Sequence, residues 1–110
     1  MATATSFRFG LKESTIGKIS RVFAACPEIE KVIIYGSRAK GDFRPGSDID
    51  LTVVGDEVTW EQLLRIENEL DDLLLPYKID LSLLRQIDNP ELLAHIERVG
   101  KVFYERGEGV

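Results

Sequence analysis

The chain has 110 residues, 44% hydrophobic and 30% charged, so one modest core and a single domain over residues 1–110 are expected. Its formal net charge of −5 argues against sequence-independent binding to duplex nucleic acid, which relies on Lys and Arg to neutralise phosphates. A lone cysteine, Cys26, cannot form an internal disulfide, no stretch approaches the ~18 apolar residues that cross a bilayer, and Met1–Ser6 has no signal-peptide pattern. A soluble cytoplasmic protein without membrane contact is the expectation.

Residues 1–10 read as a loosely held leader of small and polar residues. From Lys12 to Ala25, the positions of Ile16, Ile19 and Phe23 repeat at helical spacing, and Cys26-Pro27 ends the helix because the residue before proline avoids helical angles. Cys26 itself reads as a buried small hydrophobe. Glu30–Tyr35 is β-branched and aromatic, which predicts a buried strand. The loop from Gly36 to Ser47 carries three glycines and Pro45, with Ser37 expected to cap a short turn reaching Lys40. Asp48–Val54 alternates as a strand, with Ile49 and Leu51 on one face and Asp48 and Asp50 on the other.

Thr59 and Gln62 form a capping box for a helix running to about Leu75. Leu63, Ile66, Leu70, Leu73 and Leu74 make its stripe, Trp60 is expected at the core edge, and Pro76 is the stop. The acidic residues between Asp56 and Asp72, broken only by Arg65, suit a solvated face or a surface for a basic partner. Tyr77–Leu83 is a third strand, with Ile79, Leu81 and Leu83 opposite Asp80. Asn89-Pro90 opens a last helix that carries Leu92, Leu93, Ile96 and Val99 and closes at Gly100, with His95 expected exposed on its polar side. Lys101–Tyr104 is expected as a short edge strand, and Glu105–Val110 as a frayed tail. The order is that of one α/β layer domain, a small sheet covered by helices.

Three carboxylates carry the chemistry. Asp48 and Asp50 share one strand face, where they repel unless a cation lies between them, and Asp80 occupies the same kind of face on the next strand. A hard divalent ion such as magnesium takes oxygen ligands of this type, and two ions so held would stabilise both oxygens of a phosphoryl transfer. Gly36 permits a sharp turn close to a ligand, Ser37 offers a hydroxyl to an anion, and Arg38 and Lys40 are placed to meet a triphosphate's outer charge. For Arg38 and Lys40 a surface pair flanking Asp42 is the competing reading, and Arg44 reads as solvated.

Gly36-Ser37, ten residues, Asp48-Ile49-Asp50 and the later Asp80 together resemble the signature of the DNA polymerase β-like nucleotidyltransferase superfamily, in particular its minimal members (MNT). The likeness extends over most of the chain, to the ending Ile96–Val102. It implies a mixed sheet with flanking helices, magnesium bound by Asp48, Asp50 and Asp80, and a triphosphate held at Gly36 and Ser37. Such proteins are commonly antitoxins paired with a small helical HEPN partner. The implied reaction moves AMP from ATP to a tyrosine hydroxyl of that partner and releases pyrophosphate, with Asp80 helping to deprotonate the acceptor. The acceptor stays open, because related domains modify aminoglycosides, RNA ends or proteins. A non-catalytic antitoxin that neutralises its partner by complex formation is the alternative.

Overall fold

The computed structural model describes residues 7–107; residues 1–6 and 108–110, the outer parts of the two expected tails, lie outside the described residues. In chain order the elements are β1 (Phe7–Arg8), β2 (Leu11–Lys12), α1 (Glu13–Ala24), β3 (Lys31–Tyr35), α2 (Gly36–Lys40), β4 (Ile49–Val54), α3 (Trp60–Asp71), β5 (Ile79–Leu83), a 3₁₀ turn (Leu84–Gln86), α4 (Pro90–Val99) and β6 (Lys101–Glu105). Four strands form one mixed sheet in the order β5-β4-β3-β6. The β4–β5 pair is parallel, as a helical crossover through α3 requires. β3 runs antiparallel to both β4 and β6.

Period-two alternation gives the sheet two unlike faces. Val32, Ile34, Ile49, Leu51, Val53 and Leu83 are almost wholly buried on one of them. There they meet Ile16, Ile19 and Phe23 of α1 and Leu63, Ile66 and Leu70 of α3 in a continuous core. α4 lies against the other face: Gly100 at its end is so close to Ile33 and to the Ile96 carbonyl that a Cβ would overlap both. Gly100 is extended (φ −62°, ψ 145°), so it ends α4 by allowing this close approach, not by a left-handed cap.

Local signals work where they are self-contained. Thr59 and Gln62 exchange both capping-box hydrogen bonds, 2.9 and 3.1 Å. Asn89 Oδ1 accepts from the N–H groups of Glu91 and Leu92, with Pro90 in the first helical turn. β6 is the expected edge strand, with a bulge opposite Val32 and Ile33 that turns Phe103 into the core. There Phe103 meets Phe23 edge to face, with ring centres 6.5 Å apart. Cys26 is buried, as expected.

Several expectations need correction. Part of the supposed leader is a hairpin, β1–β2, whose turn residues Phe9 and Gly10 both take positive φ. α3 stops at Asp71, well before Pro76. Its last turn has no basic residue, and Asp71 and Asp72 set negative charge against the negative end of the helix dipole. Leu74 follows in the left-handed region (φ 54°) and is 88% exposed, so it is not part of the core stripe. Trp60 is also exposed. No helix among the described residues is long and apolar enough to cross a membrane.

Candidate active site

The sheet register sets the carboxylates side by side. Asp50 on β4 pairs with Asp80 on β5, and on its other flank with Tyr35 on β3. The three side chains therefore stand in one row on the face opposite the core. Asp48 lies just before β4, exposed, and the neighbouring Ile49 N–H donates to the Lys78 carbonyl at 2.9 Å. That bond ties the start of β4 to the start of β5 and keeps Asp48 near the other two carboxylates. In the next row Ser82 Oγ donates to Thr52 Oγ1 at 2.9 Å, joining a half-buried hydroxyl to a buried one beside the acids.

Electrostatics mark Asp50 as the strained member. Its pKa is raised, first by burial and then by the negative charges of Asp80 and Asp48; His95 and Lys78 oppose the rise. Burial also raises the phenol of Tyr35, helped by Asp50 and Asp80 and opposed by the Ser82 hydroxyl. The oxygen-only donor set of these carboxylates fits a hard divalent ion. Among the described residues no trio of carboxylate, imidazole or thiol groups already converges on one point. A bound ion would therefore have to draw Asp48, Asp50 and Asp80 inward.

Gly36 follows Tyr35 directly, with φ 74°, and a Cβ there would run into Asp50 Oδ2. The glycine is thus required twice, by its backbone angle and by the carboxylate packed against it. Ser37 does not cap α2 as expected. The helix starts one residue earlier and has no side-chain cap, while the Ser37 carbonyl accepts from the N–H groups of Gly41 and Asp42.

Arg38 and Lys40 part company. Lys40 is exposed and pairs with Asp42 at 3.4 Å, which matches the surface-pair alternative. Arg38 is only 2% exposed, so its expected place beside an outer phosphate does not match its position. Its Nη1 donates to the Phe9 carbonyl at 2.9 Å and its Nε to the Ser47 carbonyl at 3.0 Å. The guanidinium also lies between the rings of Phe43 and Tyr77, 5.3 and 4.9 Å from their centres. Arg38 clamps the hairpin, the glycine loop and the entry to β5 together, one residue before Asp48. Arg44 is exposed, as expected.

His95 is the residue that sequence reasoning misplaced. It is half-buried, its Nε2 accepts the Gly36 N–H at 3.2 Å, and its ring stands edge-on to Tyr35 at 6.2 Å. A signal was available: His95 lies three residues after Leu92 and four before Val99, on the inward stripe of α4. A cavity of about 520 Å³ lies further along the same face, lined by Lys31, Ile33, Leu93, Ile96, Lys101 and Val102. It contains none of the three aspartates.

The mixed sheet, with paired acids beside a glycine–serine turn, matches the arrangement that the sequence resemblance implies for a nucleotidyltransferase. The family model described as polymerase beta, nucleotidyltransferase matches residues 17–109, and the chain belongs to that family. No curated protein sequence matches it. Among solved structures, it is similar to a chain of a toxin–antitoxin complex with AMP-PNP, at 23% identity and a TM-score of 0.63 over 87% of this chain and 75% of that one. It is also similar to a chain of the MntA–HepT complex (19% identity, TM-score 0.62, 84% of this chain and 72% of the other). A third match is to a chain of the complex between the tri-AMPylated Shewanella oneidensis HEPN toxin and MNT antitoxin (19%, TM-score 0.62, 84% and 71%).

Proposed function

We propose that this chain is a magnesium-dependent adenylyltransferase of the MNT type, which transfers AMP from ATP to a tyrosine hydroxyl of a HEPN partner and acts as its antitoxin. The observation that carries the proposal is the in-register pairing of Asp50 with Asp80 beside the Gly36-Ser37 turn. Two similar structures support the choice of nucleotide and acceptor, one containing AMP-PNP and one an AMPylated HEPN toxin. An open carboxylate row also suits a hydroxyl presented on another protein's surface.

Asp48, Asp50 and Asp80 would hold the metal, which supplies charge stabilisation at the α-phosphate and the leaving pyrophosphate. The Ser37 hydroxyl would hold a phosphate oxygen. The acceptor oxygen attacks the α-phosphorus, the bond from that phosphorus to the bridging oxygen breaks, and pyrophosphate leaves. Asp80, exposed on β5, takes the acceptor's proton. Tyr35 forms the wall beside Asp50, its phenol pushed further above its ordinary range by burial.

Co-expression with the partner separates chemistry from mere masking. The Asp48→Asn, Asp50→Asn double variant is expected to co-purify with the partner yet no longer protect cells from it. Full protection by the double variant would instead make the chain a contact neutraliser.

A further inference from the structure

We infer that His95 is a positioning residue for the phosphate-holding turn: it takes the Gly36 N–H for itself, so that Ser37, not Gly36, faces the nucleotide. The inference rests on the nucleotidyl-transfer function proposed above, and concerns how this chain builds its turn. The Gly36 N–H donates to His95 Nε2 at 3.2 Å, a contact spanning 59 residues of sequence. A backbone N–H has one hydrogen, so while that bond stands Gly36 has none to offer a phosphate. The Nε2 lone pair must be free to accept, which leaves the proton of the neutral ring on Nδ1.

Three neighbours hold Gly36 in its left-handed conformation. Asp50 fills the space where a Cβ would be. Tyr35, the preceding residue, is braced by the edge of the imidazole, with the planes at 80°. His95 fixes the peptide itself. The Ser37 carbonyl is occupied by Gly41 and Asp42, and its hydroxyl makes no capping bond. The hydroxyl, together with the Ser37 N–H at the start of α2, is thus left for the turn to present. α4 brings His95 to the site from beside the buried Ile96, which seats the helix on the sheet.

Two variants test the inference. His95→Phe keeps a ring against Tyr35 and removes the acceptor. His95→Gln removes the ring and keeps an acceptor at similar reach. Two readouts are taken: hydrogen exchange of the Gly36 amide in the nucleotide-free protein, and calorimetric affinity for MgATP without acceptor. His95→Phe is expected to speed Gly36 exchange and weaken MgATP binding by about five- to tenfold each, the scale of one hydrogen bond. His95→Gln is expected to restore both to within about twofold of the natural chain. Natural exchange and affinity in His95→Phe would overturn the inference, as would a folded His95→Gln with both properties lost. Should His95→Phe fail to fold, His95→Leu, which also lacks an acceptor, takes its place with the same two readouts and the same expected losses. If the natural chain binds no MgATP, the nucleotidyl-transfer proposal falls, and Gly36 exchange still decides whether His95 holds the turn.

Discussion

Asp50→Asn is expected to lose at least about a thousandfold in transfer rate, the scale of several kcal/mol of charge stabilisation at the reacting phosphate. The same variant is expected to melt a few degrees higher than the natural chain at pH 7 in chelator. The two effects share one cause. Asp50 stands beside Asp80 in parallel register, half-buried, with Asp48 close by. Burial and those two charges raise its pKa, so the folded chain binds this proton more tightly than the unfolded chain does. Stability then falls as pH rises from the unfolded carboxylate range, about 4, through the higher folded value. Asparagine never ionises and escapes that loss. The gap in melting temperature between the two proteins should therefore widen from pH 4 to pH 8 and close toward acid. Saturating magnesium should narrow it by stabilising only the natural chain. Thermal melts across that pH range, with chelator and with magnesium, check each part.

Arg38→Ala is expected to destabilise the fold by roughly 3–4 kcal/mol, lowering the melting temperature by about 15 °C or more. The change strands the Phe9 and Ser47 carbonyls, opens a void at a site that is 2% exposed, and removes a cation from between two aromatic rings. Lysine should rescue little, because it lacks the planar fork that reaches both carbonyls while stacking on the rings. A phosphate-binding arginine would behave in the opposite way, losing nucleotide affinity with little change in melting. Melting curves and MgATP affinity measured well below the transition distinguish the two. Because Arg38 pins the Ser47 carbonyl next to Asp48, residual loss of activity in the folded fraction is expected to come from a loosened Asp48.

What was legible in the sequence was whatever a strand or helix encodes by its own periodicity. Asp50 and Asp80 each sit opposite a run of apolar neighbours, and one helix-length segment lies between their strands. That pattern sets the two strands side by side with both acids off the core face, and the structure adds the register that pairs them. The helix starts at Thr59 and Asn89 were equally plain, because a cap and its partners lie within three residues. Other features depend on residues far apart in sequence. The β1–β2 hairpin has two-residue strands that predict nothing alone; it is held by Arg38 and by Phe43, which lies where a Cβ on Gly10 would fall. Arg38 looks like a phosphate ligand because its neighbours in sequence are Gly36, Ser37 and Lys40. Its neighbours in space are two carbonyls and two rings. His95 was set on the polar side of α4 by its own polarity, although its position relative to Leu92 and Val99 faces inward. Leu74 fits a helical stripe in spacing, but α3 ends at Asp71 against its own acidic terminus.

The most direct test is transfer itself. ATP labelled at its α-phosphate is incubated with magnesium, this chain and the helical product of the neighbouring gene, and the proteins are separated under denaturing conditions. Covalent label on a tyrosine of the partner, dependent on magnesium and absent with the Asp48→Asn, Asp50→Asn variant, is the predicted result. An unlabelled partner, or label that survives the double substitution, would contradict the assignment of these aspartates to nucleotidyl transfer.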